Sequence, residues 1–305
     1  MIDRIKENTY MQLVFIGVIL MLATIILSSI AFGISAMIWG MDTTQNALAG
    51  MTDTATHINI LKLIQFANQL GMFIIPPLAL WFIMRKDNPN FFGLEHKPSM
   101  KQLLLVVAIF IASIPFLQWV IMSNESMSLG ESLRGVEEWM RDMQDKNDLI
   151  TTKFLQGTTI TSLLINLTIM AIMPAIGEEL FFRGVLMNWF GKAFSNIHVN
   201  IIITSIIFSA IHMQFFGFIP RFLLGMVLGY TYYWTSSLWA PILLHFVNNA
   251  ITVFVYFRIN SQGLDIDPQD VGTSDSTILV IISAVAVGGF MYLLRKTKKK
   301  EKGLG

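Results

Sequence analysis

The chain has no cysteine, which excludes disulfides, thiolate nucleophiles and cysteine-ligated metals and leaves the redox compartment open. Charge is scarce as well. Asp, Glu, Lys and Arg make up 13% of the 305 residues, about half the roughly 25% of soluble domains. The formal net charge of +1 says nothing about partners by its sum, and no nucleic-acid partner is expected. No internal repeat, low-complexity linker or second domain is visible. What is present is apolar: hydrophobic residues make up 54% of the chain and the mean hydropathy is +0.60. Several apolar runs exceed the ~20 residues needed to cross the hydrocarbon layer. The composition therefore defines an integral membrane protein, an all-α polytopic transmembrane helix bundle forming one domain over residues 1–305.

About eight spans are expected from run length, over residues 12–39, 60–84, 103–122, 158–190, 199–215, 219–234, 238–257 and 277–294. The first is too long for a cleavable signal h-region. The Pro76-Pro77 pair is expected to kink or break the second. Loop charge orients the bundle. Arg4, Lys6, Arg85, Lys86, Lys97, Lys101, Lys192 and a tail of Arg295, Lys296, Lys298, Lys299, Lys300 and Lys302 fall on one side. Asp265, Asp267, Asp270 and Asp275 fall on the other. Both termini are thus expected in the cytoplasm, with the protein in the cell membrane, a bacterial inner membrane, in contact with lipid. The acidic connection 123–157 is expected outside. In it Leu129, Leu133, Val136, Met140 and Met143 recur at steps of four and three, an apolar stripe that suits a helix lying on the bilayer surface or capping the bundle.

Against this apolar background stand Glu178, Glu179, Arg183, His212, His245 and Asn249, all within hydrophobic stretches. An ionisable group at the bilayer centre costs about 2.5–3.5 kcal/mol on insertion scales, so such residues pair or perform a task. Glu179 and Arg183 share a helix face at i,i+4 and can form an ion pair. Glu178 is turned about 100° from Glu179, which leaves one carboxylate to project into a cavity. Pro174 and Gly177 loosen the helix upstream. His245 and Asn249 point one way from the seventh span, while Asn248 points elsewhere. His212 shares a face with Phe208. At 1.5 Å per residue, Glu178 and His212 lie roughly 20 Å, and His245 roughly 10 Å, from the cytoplasmic ends of their helices, which permits one pocket below that surface. His57, His96 and His198 fall near span ends, where exposure is expected, and Arg221 is expected to snorkel.

Glu178-Glu179-Leu180-Phe181-Phe182-Arg183 is an EExxxR motif, Phe208-Ser209-Ala210-Ile211-His212 an FxxxH motif, and His245-Phe246-Val247-Asn248-Asn249 an HxxxN motif. In this order on successive membrane helices they resemble the CPBP family of intramembrane proteases, the CAAX protease and bacteriocin-processing (Abi) family. The resemblance covers about residues 171–252, inside a core of motif-bearing helices at 158–258. It implies an endopeptidase acting on membrane-associated peptides or lipidated proteins. By analogy with the family, Glu178 is the general base on water, His212 positions that water, and Arg183 keeps Glu179 charged. His245 and Asn249 donate to the oxyanion.

The family has also been called metalloprotease, and Glu178, His212 and His245 are plausible zinc ligands. No HExxH motif occurs, and a glutamate used as ligand is not free as base. The favoured expectation is a metal-free mechanism with no required cofactor, and zinc is the alternative. Two other function classes compete: a transporter using the buried charges, for which inverted repeats are not apparent, and a non-catalytic immunity or scaffold protein, which would have no need of Glu178. The chain looks more like a bacterial member, in which a CAAX substrate is doubtful.

Overall fold

The computed structural model describes residues 2–274 and 276–298. Asp275 of the acidic connection and Lys299, Lys300 and Lys302 of the basic tail lie outside the described residues. Among the described residues every regular element is helical. Among the described residues seven helices are long and apolar enough to cross a membrane, and their sides carry a large apolar surface such as Met21, Leu22, Ile25 and Ile26. The protein is a multi-pass helical membrane bundle.

Helix α1 is Thr9–Trp39, its start capped by Asn8, whose Oδ1 accepts from the Tyr10 and Met11 amides. Helix α2 runs over Ala55–Met84. The break expected at Pro76-Pro77 takes the form of a π-helical turn at Leu70–Ile74, directly upstream of the prolines. Prolines lack an N–H and crowd the carbonyl one turn back, and widening that turn accommodates them while the helix continues. Within the π turn, Gly71 lies against α1 so closely that an added Cβ would stand 2.7 Å from the Thr24 Cα. The obstacle is backbone, so the helices would have to separate. Gly71→Ala is expected to cost about 1–3 kcal/mol, the usual range for overpacking, and a melting temperature in detergent equal to that of the unaltered protein would refute this contact.

Helix α3 is Met100–Glu125, opened by a capping box between Ser99 and Gln102. The amphipathic helix α4 is Arg134–Leu155. It starts later than the stripe drawn from sequence, because Leu129 precedes the helix and Leu133 ends a separate 3-10 turn. Glu137 joins that lead-in to the helix. Its Oε1 accepts from Arg141 and its Oε2 from the Leu129 amide and the Ser128 hydroxyl, at 2.8–3.0 Å. These bonds, the Arg141 one foremost, hold the Glu137 carboxyl down at about 2. Leu133, Val136 and Trp139 remain exposed, as a face turned to lipid would be.

Helix α5, Ile160–Ala193, is the expected long fourth span. It contains two π turns, Thr168–Ile172 before Pro174 and Leu180–Met187 directly after the paired glutamates. Helix α6 departs from expectation. It is Ile197–Ala210, 14 residues, or about 21 Å at 1.5 Å per residue, and not a span reaching Phe215. The chain turns at Ile211 to Met213, where Met213 takes a left-handed backbone conformation, φ 53°. A 3-10 turn at Phe215–Gly217 then leads into α7, Phe218–Thr235. Ser209 donates to the Phe218 carbonyl at 2.7 Å, Ser205 faces Gly225 and Ile201 faces Gly229, which is antiparallel packing. Helix α6 therefore reverses the chain like a span although it is shorter than one. Helices α8, Trp239–Gln262, and α9, Thr277–Lys296, complete the bundle.

Helix α4 lies over the α6–α7 turn. Trp139 packs on Phe215 with ring centroids 5.2 Å apart, the Arg141 guanidinium sits 4.2 Å from the Phe216 ring, and Gln214 donates to Asp148 at 3.3 Å.

Candidate active site

Helix α5 delivers three of the polar residues. Glu179 and Arg183 are fully buried, and the Arg183 Nη1 donates to Glu179 Oε1 at 2.8 Å. The i,i+4 pairing read from sequence persists although the π turn begins between them. Removing both charges from water costs several kcal/mol per ion, so each must be compensated. Arg183 also donates from Nη2 to the Gly225 carbonyl of α7 at 2.8 Å and lies 5.0 Å from the Phe208 ring of α6. Glu179 has a second partner that its spacing did not reveal. The same Oε1 faces His245 Nδ1 of α8 at 2.9 Å. One carboxylate thus ties α5 to α8, and the arginine beside it ties α5 to α6 and α7.

Glu178 turns the other way, as its 100° offset requires. Its Oε2 lies 4.0 Å from His212 Nε2 and 4.0 Å from His245 Nε2, and that oxygen is buried without a hydrogen-bond partner among the described residues. Such a distance is too long for a direct hydrogen bond and suits one bridging water. The His212 side chain, 28% exposed, is the most open member of this trio. Its Nδ1 lies 2.7 Å from the Phe208 carbonyl. A carbonyl only accepts, so Nδ1 carries the proton, and in the neutral ring Nε2 is left as an acceptor facing Glu178. His245 is fixed likewise, with Nδ1–H donating to Glu179 and Nε2 facing Glu178. Phe208 sets edge-on against both rings, with centroids 5.3 Å from His212 and 5.9 Å from His245.

The three motifs therefore meet through Glu178, Glu179, Arg183, Phe208, His212 and His245. Asn249 lies one turn beyond His245, partly buried. Asn248, expected to point elsewhere, donates from Nδ2 to Asn249 Oδ1 at 3.0 Å. No periodicity signals a contact between adjacent helical residues, and only the Asn-Asn pair itself hinted at it. Arg221 also departs from the snorkelling expectation. It is part-buried and donates to Gln214 Oε1 at 2.6 Å, within electrostatic reach of Glu178 and His212. Of the remaining histidines, His198 meets the Tyr230 hydroxyl at 2.7 Å, and His57 is buried in the first turn of α2, not exposed. Because His212 stands in the turn beneath α4, the cluster lies toward the α4 end of the bundle.

Glu178, His212 and His245 are the side chains that zinc would require. Among the described residues no group of three or more His, Asp or Glu side chains is arranged to hold a metal ion. Ligand atoms about 2.0–2.2 Å from one zinc stand closer together than the 4.0 Å between Glu178 and each histidine. The side chains as placed do not fit the ion.

A multi-pass helical membrane protein with paired glutamates, an arginine and two histidines gathered inside the bundle is the class that fold and site define. Residues 160–251 match the family model Rce1-like, described as type II CAAX prenyl endopeptidase Rce1-like. The matched segment contains all three motifs and bears out the resemblance read from them, so the likeness is to CAAX-protease-like intramembrane endopeptidases at family level. An uncharacterized 24.3 kDa protein of Escherichia coli is 23% identical over 60% of this chain and 95% of its own length. The uncharacterized protein YpbD of Bacillus subtilis (strain 168) is 30% identical over 27% of this chain and 41% of its own. No solved structure matches the chain.

Proposed function

We propose that the protein hydrolyses peptide bonds of membrane-associated peptides or proteins with a water activated by Glu178 and His212. The observation that carries this reading is the water-sized gap of 4.0 Å between Glu178 Oε2 and the two imidazole Nε2 atoms. A water there donates one proton toward Glu178 and the other toward the His212 Nε2 acceptor, which aims its lone pair at an incoming carbonyl carbon. Glu178 takes the first proton as the C–O bond forms. The carbonyl electrons move to oxygen, and this oxyanion receives hydrogen bonds from the His245 Nε2–H and the Asn249 amide. His245 can donate from Nε2 only as the imidazolium, because its Nδ1–H is committed to Glu179. Glu179 and Glu178 offset the charges of Arg183 and His245, so the four groups sum to zero. Glu178 then returns its proton to the departing nitrogen as the C–N bond breaks, leaving a carboxylic acid and an amine.

Lipidated proteins and unmodified membrane peptides both belong to the proposed substrate class. The test is hydrolysis of a fluorogenic peptide by the purified protein in detergent, with elemental analysis of the same sample. Well under one equivalent of zinc, and activity that survives chelation, are expected. Stoichiometric zinc whose removal abolishes and whose return restores turnover would overturn the metal-free step while leaving the hydrolase reading in place.

A further inference from the structure

Among the described residues Arg221 is a cation near the site with no carboxylate paired to it. It enters from the first turn of α7, part-buried, and is held by Gln214, whose Oε1 accepts from Nη2 at 2.6 Å and whose carbonyl accepts from Nη1 at 3.4 Å. The turn is shaped around it. A Cβ on Gly217 would stand 2.7 Å from Arg221 Nη2, so a side chain there would displace the guanidinium. Gln214 is braced in turn by Asp148 of α4. Glu178 and Asp148 both act on Arg221 electrostatically, yet among the described residues no carboxylate lies within ion-pair distance of it. Arg183, by contrast, is paired directly with Glu179. A guanidinium has five N–H donors in a planar fork, and Gln214 takes only two of its nitrogens. The open donors match a carboxylate, the group that a guanidinium grips with two parallel hydrogen bonds.

We propose that Arg221 is a specificity residue that grips a carboxylate of the peptide, on the α4 side of the bond being cut. This rests on the peptidase reading of the Glu178 site. The carboxylate has two sources, the free C-terminus of a chain cut close to its end or an acidic side chain near the scissile bond, and both present the same chemistry to the fork.

The test reads binding in a Glu178→Gln protein, so it does not depend on turnover. The probes are fluorescein-labelled hexapeptides of Ala, Leu and Phe in three forms: free C-terminal acid, C-terminal amide, and amide with one Glu near the C-terminus. Affinities are measured by anisotropy in detergent. At least one carboxylate form is expected to bind ~10-fold or more tightly than the neutral amide, as charge-assisted hydrogen bonds to a partly desolvated arginine should give. The form that gains identifies the source. The preference should vanish in Arg221→Gln and survive in part in Arg221→Lys. Equal binding of all three forms, or a preference unchanged in Arg221→Gln, overturns the proposal. If Arg221→Gln does not fold, Arg221→Lys carries the comparison, and a carboxylate preference unchanged in it overturns the proposal. A carboxylate preference together with no hydrolysis by the unaltered protein would leave Arg221 standing and overturn the peptidase reading instead.

Discussion

Glu178→Gln is expected to reduce peptide hydrolysis at least ~100-fold, the usual lower share of general-base catalysis, while yield and melting temperature stay near those of the unaltered protein. The amide keeps the size of the side chain and costs less to bury than a carboxylate. It also strands nothing, because the Glu178 Oε2 has no hydrogen-bond partner to lose and the nearest imidazoles are 4.0 Å away. What disappears is the group that accepts the proton of water. Turnover within a few-fold of normal in the purified variant would remove Glu178 from the mechanism.

Arg183→Ala should fail differently, in folding as well as activity. It leaves the fully buried Glu179 facing His245 alone and frees the Gly225 carbonyl of its donor. Breaking a buried pair from one side typically costs about 3–5 kcal/mol, enough to depress yield sharply in a marginally stable protein. The double change Glu179→Gln with Arg183→Met removes both charges and should recover yield and melting temperature better than Arg183→Ala. Activity should not return with it, because His245 then lacks the Glu179 carboxylate that faces its Nδ1 at 2.9 Å. Losses in melting temperature that simply add would show that the two side chains do not support each other.

The helical class and the polar residues were legible because each obeys a local rule. Apolar runs longer than a bilayer report spans, and i,i+4 spacing reports the Glu179–Arg183 pair. Contacts between helices were less legible. The bond from His245 to Glu179 joins residues 66 apart in sequence, and no periodicity encodes it. The Phe208 carbonyl that fixes the His212 tautomer is a backbone group, invisible to a reading of side-chain types. The eight spans expected from sequence included a fifth that ends early, since hydropathy continues through Ile211, Met213 and Phe215 while the backbone has already turned. Arg221 departs from the snorkelling expectation for a related reason. A cation at the end of a full-length span snorkels, but this one begins its helix beside the site, at a turn covered by α4.

The early end of α6 has a consequence for the surrounding lipid. Its outer face, with Val199, Ile202 and Ile206, is exposed, yet the helix is about 9 Å shorter than a ~30 Å hydrocarbon layer. A bilayer meets such hydrophobic mismatch by thinning locally, at fractions of a kcal/mol per Å. The thinned zone would sit beside the turn that carries His212, bringing headgroups and water inward toward the imidazole at the flank of the bundle. Acyl-chain length then becomes a property of the protein's environment to which the His212 turn responds, with short-chain lipids matching α6 and long-chain lipids straining the turn.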